Sequence, residues 1–359
     1  MQKVILGMSG GVDSSVSAAL LKEQGYEVEG VSFILWQAQD KFSGCCSLSS
    51  AQSAGRTAGR LGIRHDALDV REEFSRQVIE PFAEAYARGM TPNPCILCNR
   101  HIKFPFLLKQ AESRGADFIA TGHYARVERV PGARETVVLK KGLDERKDQS
   151  YVLYLLREEE LRRLVLPLGT KRKQEVREIA QAMGLEAAHW PESQEICFIE
   201  DNDYCSFLEK HNPSLNSPGP IIDGSGREVG RHRGIHRYTV GQRKGLGIPS
   251  LTPLYVTGID IGKKAVYVGA REDAACRVIE VNQLHWFQKP DLPVFRAAVK
   301  VRSMMKEMPA TIELNGDTVT IVFDERVWAP APGQSAVFYE EDVVLGGGIV
   351  MPLLPGFSR

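Results

Sequence analysis

The chain of 359 residues is predicted to be an α/β protein: a mostly parallel sheet covered on both faces, then a mixed central domain, then a C-terminal β-barrel. Three observations predict this. Short apolar runs alternate with amphipathic helical stretches up to about residue 200, the pattern of strands joined by helical crossovers. Beyond that point glycine and proline become frequent and long helical periodicity stops. Two hairpin signatures then appear. The length exceeds one ordinary core and favours two to three domains; the expected boundaries are 1–200, 201–275 and 276–359.

Each element has its own signal. Val4-Ile5-Leu6 is a strand that runs into the glycine turn Gly7-Met8-Ser9-Gly10-Gly11. Ser14 to Gln24 carries Val16, Leu20 and Leu21 on one helical face, with Gly25 as a stop. Glu27 to Leu35 is a strand, Ala51 to Leu61 a helix closed by Gly62, and Ala67 to Val70 a strand. Glu72 to Arg88 is expected as one helix carrying Phe74, Val78, Phe82 and Ala85. His101 to Arg114 is expected as another, followed by the strand Asp117 to Thr121. In the second half, Ile259 to Val268 and Ala310 to Ile321 are expected hairpins; the second has Asn315-Gly316 at its tip, which suits a type I′ turn.

Composition narrows the function classes. With 43% hydrophobic and 25% charged residues, the chain is neither disordered nor collagen-like. No window approaches the ~18 uninterrupted apolar residues of a membrane span, and the first residues lack the layout of a secretory signal. A cytoplasmic protein is expected. Net charge is zero, from 45 basic and 45 acidic residues, but the charge is segregated. Residues 227–244 hold Arg227, Arg231, Arg233, Arg237, Arg243 and Lys244 against Glu228 alone, while residues 308–359 hold seven acids against Arg326 and Arg359. The basic stretch is a candidate phosphate-backbone footprint; a solvated charged face is the plainer alternative.

Ser9-Gly10-Gly11-Val12-Asp13-Ser14-Ser15 lies between a strand and a helix, where parallel sheets bind ligands. The glycines let backbone N–H groups approach a phosphate, the helix N-terminus adds unpaired donors and a positive dipole end, and Ser9, Ser14 and Ser15 offer hydroxyls. The Gly-Lys-Ser/Thr ending of a Walker loop is absent. The plainer alternative is an ordinary strand-to-helix turn with an Asp or Ser cap.

Seven cysteines form no disulfide framework, so metal binding or thiol chemistry is the default. Cys95 and Cys98 form a Cys-x-x-Cys pair at the start of a helix, where the dipole favours thiolate. Metal chelation, redox exchange or a single nucleophile all remain open, and a zinc site would need two further ligands. A third thiol, Cys197, lies far along the chain. Cys205 and Cys276 are expected to be inert, and Cys45-Cys46 is a vicinal pair on a loop.

The loop at 9–15 resembles the pyrophosphate loop of the N-type (PP-loop) ATP pyrophosphatases. The chain as a whole resembles the bacterial tRNA-specific 2-thiouridylase family. The resemblance rests on GMSGGVDSSV at 7–16, TPNPCILCNRHIKF at 91–104, ATGHYAR at 120–126, KDQSYVL at 147–153, SQEICFI at 193–199, YTVGQRKGLGI at 238–248, and WAPAPGQSAVFY through LGGGIV at 328–350. It implies that ATP, with Mg²⁺, adenylates the C2 oxygen of the wobble uridine of tRNA and that sulfur then displaces AMP. It implies that Gly7, Met8, Ser9, Gly10, Gly11, Val12, Asp13, Ser14, Phe33 and Gly122 bind ATP. Asn93, Pro94 and Cys95 would lie against the target base; His123, Lys147, Asp148, Gln149, Arg302, Ser303 and Gln334 would contact tRNA.

Cys197 would carry a persulfide delivered by a cysteine desulfurase or sulfur-relay protein, and Cys98 would be the partner thiol able to form a disulfide with it. Many members have Asp where this chain has Cys95. The three-cysteine version resembles members proposed to hold a 4Fe-4S cluster on Cys95, Cys98 and Cys197, with inorganic sulfide on the open iron. Both routes remain open here. The rival readings are a PP-loop ATP pyrophosphatase acting on a small molecule and a non-catalytic iron–sulfur RNA-binding protein.

Overall fold

A computed structural model describes residues 1–36, 48–130, 136–189, 196–199 and 203–352; Cys45 and Cys46 lie outside them. The chain divides into two compact units. The first comprises Met1–Ile79, Pro94–Asn202 and Asp342–Val344; the second comprises Glu80–Asn93, Asp203–Glu341 and Leu345–Arg359.

The first unit is built on a five-stranded parallel sheet. Its strands are β1 (Lys3–Gly7), β2 (Glu27–Ile34), β3 (Arg64–Asp69), β4 (Phe118–Ala120) and, after the hairpin of β5 (Ala125–Val130) and β6 (Thr136–Lys141), β7 (Leu164–Val165). Their spatial order is β3-β2-β1-β4-β7. Such a sheet is covered on both faces, so the middle of its central strand is a continuous apolar run: Val4, Ile5 and Leu6 are all fully buried. Alternation sorts the cover. Val4 and Leu6 join a cluster with Ala18 and Leu21 of the helix Val12–Glu23 and Ala54 and Ala58 of the helix Leu48–Leu61. Gly7, on the other face, lies against Leu107 of the helix Phe104–Ser113.

Two expected helices are broken. The stretch 72–88 forms Arg71–Phe74, a π-helical turn Ser75–Ile79, and Glu80–Ala87. The stretch 101–114 forms a π-helical turn Asn99–Lys103 and then Phe104–Ser113, preceded by the short helix Pro94–Cys98. Each π turn ends two residues before a proline, Pro81 or Pro105. A proline inside a helix removes the bond to residue i−4 and crowds that carbonyl. Here residue i−4 is Gln77 or His101, at the middle of the widened turn; widening the helix is the local relief.

The second unit contains a four-stranded sheet and a barrel. The sheet uses β8 (Gly219–Ile222), β9 (Glu228–His232), β10 (Tyr255–Asp260) and β11 (Ala265–Gly269) in the order β10-β11-β8-β9. Ile221, Val256, Val266 and Val268 fill its core. The barrel strands are β12 (Ala275–Trp286), β13 (Val294–Lys300), β14 (Met308–Asn315), β15 (Thr318–Trp328), β16 (Ser335–Glu340) and β17 (Val343–Val350). They run β12-β15-β14-β13-β16-β17, and pairing of β12 with β17 closes the ring. Closure removes exposed sheet edges. Val281, Ile312, Ile321, Phe323 and Phe338 fill the interior.

The expected parallel sheet, mixed centre and C-terminal barrel are therefore present, with one turn corrected. In the β14–β15 hairpin Asn315 pairs with Thr318, so Gly316 and Asp317 are the central residues. Gly316 has φ +67°, and Asp317 is not among the residues of positive φ. Positive φ at the first central position alone is the type II′ requirement, not type I′. The register places Asn315 in the strand rather than at the tip.

Candidate functional site

The candidate site begins where β1 ends. Gly10 takes φ +78°, a conformation that favours glycine, and a Cβ there would meet the Ser50 carbonyl oxygen at 2.4 Å. The next residue, Gly11, is the N-cap of the helix Val12–Glu23 and has no side-chain cap. That helix start therefore keeps backbone N–H groups facing outward, an anion-binding arrangement. The loop is braced internally: Ser9 N donates to Ser14 Oγ at 3.2 Å, and Ser14 Oγ donates to Gly11 O at 3.1 Å. Ser15 does not fit its expected role as a phosphate donor, because it is fully buried.

The segment after β4 closes over this loop. A Cβ at Gly122 would meet both Asp13 C and Ser14 N at 2.9 Å, so only glycine lets the two backbones approach this closely. Two residues on, Tyr124 donates its hydroxyl to Asp13 Oδ1 at 2.7 Å. Lys173 Nζ lies 2.6 and 2.8 Å from the two Asp13 carboxylate oxygens and 5.6 Å from the centroid of the Tyr124 ring. Tyr124 was visible in its motif without a role, and Lys173 was not singled out at all. Nothing in the run Lys171-Arg172-Lys173 signals that one member is buried.

Gln149 and Asp148, expected at tRNA-contacting positions, have bonds within this unit. Tyr124 N donates to Gln149 Oε1 at 3.0 Å, and Gln149 N donates to Tyr124 O at 2.8 Å. Asp148 Oδ1 accepts from Gly142 N and Ser150 N, each at 3.0 Å. Lys147 sits in the turn before them, its N–H bonded to Asp144 O. Phe33 is buried, edge-on to Phe106 with centroids 6.5 Å apart. Met8 is buried in the cluster that holds Val4 and Leu6.

The same segment reaches the cysteines. The His123 ring stacks on Phe104 at 6.0 Å and shares a 2.7 Å hydrogen bond with Thr121 Oγ1. Phe104 follows the π turn that begins right after Cys98. Asn99 Nδ2 donates to Val152 O at 3.0 Å. His101, in that turn, is held below the usual imidazole range by burial and by the nearby Arg100 charge, against a smaller upward pull from Glu160.

Cys98 is buried at the end of Pro94–Cys98, Cys95 is exposed at its second position, and Cys197 is partly buried. Cys98 thus lies one turn inside the helix, away from the first-turn position expected to favour thiolate. Phe198, next to Cys197, stands edge-on to Phe74 at 5.5 Å. Phe74 leads into the π turn Ser75–Ile79, and Pro94–Cys98 packs on that turn. Both cysteines are thus linked to the stretch Phe74–Ile79, Cys98 through its helix and Cys197 through its neighbour Phe198.

The expected three-cysteine cluster set is not formed. Among the described residues no group of three or more His, Cys, Asp or Glu side chains could hold a metal ion, so the residues as placed do not fit a cluster. Of the pair expected to be inert, Cys276 is buried in β12, and burial pushes the Cys205 thiol above its usual range.

Asn93, Arg302, Ser303 and Gln334 belong to the second unit. There Gln334 Nε2 donates to Thr91 O at 2.7 Å, and Thr91 N donates to Pro332 O at 2.7 Å, anchoring the strand of chain that ends in Asn93. Arg302 Nη2 donates to Val240 O at 2.8 Å and Ala329 O at 2.7 Å, with its guanidinium over the Trp328 ring. Ser303 occupies the partly exposed turn after it. The basic stretch is smaller than its sequence suggests. Arg227 pairs with Asp223, Arg231 with Glu228 and Arg237 with Glu209. Arg233, Arg243 and Lys244 remain exposed with no acidic partner among the described residues.

Gly122→Ala should weaken Mg·ATP binding about tenfold or more by calorimetry while far-ultraviolet circular dichroism stays native. Displacing packed backbone costs about 1–3 kcal/mol. Unchanged affinity would show that the approach of the two backbones does not shape the loop.

Comparison with known proteins agrees with this layout. Residues 2–201 match the family model described as tRNA methyl transferase HUP domain, residues 205–270 the tRNA methyl transferase PRC-barrel domain, and residues 276–350 the Aminomethyltransferase beta-barrel domain. The chain is 44% identical over 354 residues to the tRNA-specific 2-thiouridylase MnmA of Clostridioides difficile (strain 630), covering 97% of this chain and 98% of the relative. It is 44% identical over 357 residues to the protein of that name from Halothermothrix orenii, covering 98% and 99%. It is 46% identical over 356 residues to that of Carboxydothermus hydrogenoformans, covering 97% of each. On full-length identity of this extent, the chain belongs to the tRNA-specific 2-thiouridylase family.

Proposed function

We propose that this protein uses ATP to install sulfur at position 2 of the wobble uridine of tRNA. One observation carries the reading: a glycine-shaped backbone cradle at the end of β1 stands in the same α/β unit as Cys98 and Cys197, each linked by contacts to the stretch Phe74–Ile79.

The chemistry divides into activation and transfer. The uracil C2 oxygen attacks the α-phosphorus of ATP; the bond to the bridging oxygen breaks, and pyrophosphate leaves with the electron pair. Loop N–H groups meet the charge that develops on the leaving group. Magnesium arrives with the nucleotide, held mainly by its phosphates. The amide-like C2 becomes electrophilic because AMP is now its leaving group. The terminal sulfur of a persulfide on Cys197 attacks C2, and AMP departs with the original oxygen. The Cys98 thiolate then attacks the Cys197 sulfur. This releases 2-thiouridine and leaves a Cys98–Cys197 disulfide, which an external dithiol reduces before a protein donor restores the persulfide.

The base must leave its stack to reach such a site, and RNA of defined shape is held through its backbone. Arg233, Arg243 and Lys244 supply unneutralised positive charge for that purpose. This charge also favours RNA over a small-molecule substrate, which needs no such surface.

The test is a thiolation assay with tRNA, Mg·ATP and a persulfide donor. AMP should be released in proportion to 2-thiouridine, and Cys197→Ser should abolish thiolation with ATP and tRNA affinities within about threefold of wild type. Unchanged thiolation by Cys197→Ser would overturn the thiol assignment, and AMP release independent of tRNA would favour the small-molecule reading. Arg243→Ala and Lys244→Ala should each weaken tRNA binding and lower the slope of log affinity against log salt by about one. An unchanged slope would remove these residues from the RNA-binding surface.

A further inference from the structure

We propose that Lys173 is a catalytic residue of the nucleotide site that transfers its charge from Asp13 to the pyrophosphate moiety of bound ATP. The inference rests on the reading of the loop as an ATP site and names a residue outside the loop for it.

The loop Ser9–Ser15 contains no cation of its own, yet its chemistry requires pyrophosphate to depart with added negative charge. In the following helix the cation is Lys22, in the last turn, where it is bonded to the Leu61 carbonyl. Asp13, in the first turn, makes matters worse: an uncompensated carboxylate beside the cradle repels a polyphosphate. Lys173 cancels that charge, contacting both carboxylate oxygens at 2.6 and 2.8 Å.

Two features mark Lys173 as more than a surface ion pair. Its side chain is 9% exposed while that of Asp13 is 35% exposed; a lysine this buried is rare unless paired. It is also the first residue of the helix Lys173–Ala182, where the dipole disfavours a cation. Its backbone N–H donates to Asp144 Oδ2 at 2.9 Å, fixing the root of the side chain. A positive charge buried at the wrong end of a helix, against the carboxylate that borders a phosphate cradle, is held where an incoming anion lowers its energy. Polyphosphate offers more negative charge than one carboxylate, so the ammonium exchanges partners as ATP binds and meets the bridging oxygen as its bond to the α-phosphorus breaks. Tyr124, bonded to Asp13 Oδ1, keeps a donor on the carboxylate after the exchange.

The test uses the full-length protein and two probes, inorganic pyrophosphate and AMP, each titrated by calorimetry in the presence of Mg²⁺. Lys173→Met should weaken pyrophosphate binding about tenfold or more, the worth of one hydrogen bond to a charged group, while AMP affinity stays within about threefold. The rate of tRNA-dependent AMP release should fall about a hundredfold, with Lys173→Arg recovering part of it. Removing both charges in Asp13→Asn/Lys173→Met should not restore that rate. The proposal is overturned if Lys173→Met binds pyrophosphate like wild type, if both probes weaken equally, or if the double variant recovers tenfold or more over Lys173→Met, since Lys173 would then only neutralise Asp13. Wild type that binds pyrophosphate but releases no AMP with tRNA would instead count against the thiolation reading.

Discussion

The site depends on a close approach of two pieces of backbone. The chain leaving β4 passes so near the start of the first long helix that a Cβ at Gly122 would lie 2.9 Å from the Asp13–Ser14 peptide. From this crossing the segment Thr121–Tyr124 reaches in two directions. Tyr124 grips Asp13 beside the glycine loop, and His123 stacks on Phe104, which follows the turn after Cys98. Adjacent parallel strands bring the two ends together: β1 and β4 pair in register, with Leu6 opposite Ala120. Short polar contacts from Tyr124 and Lys173 then fix the orientation of Asp13.

Much of this was legible in the sequence. The apolar strands, the glycine turn and the crossover helices have local signals, because burial on both faces makes the middle of β1, Val4 to Leu6, a continuous apolar run. Hairpin existence was legible too, but the turn type was not: it depends on which residues pair, and register placed Asn315 in a strand. The two π turns escaped because helical periodicity continues through them; Pro81 and Pro105 were the available clue. Lys173 escaped for a different reason. Its partner lies 160 positions away, and a charge run carries no mark of which member is buried.

Electrostatics show the same contrast between composition and arrangement. Six cations in eighteen positions suggested a broad basic face, but three are spent on Asp223, Glu228 and Glu209. Glu209 itself would be pushed up by burial, yet bonds from His236 and Arg237 hold it below the usual carboxylate range. What remains exposed without an acidic partner among the described residues is a small set of cations at positions 233, 243 and 244. Such a set suits backbone tracking rather than base readout.

The central claim is that the uracil C2 oxygen itself becomes part of AMP. Transcript tRNA carrying oxygen-18 at C2 of the wobble uridine tests it directly, by mass spectrometry of the AMP released during one turnover. The account predicts one oxygen-18 in the phosphate of AMP for each 2-thiouridine formed. Unlabelled AMP accompanying 2-thiouridine would contradict it.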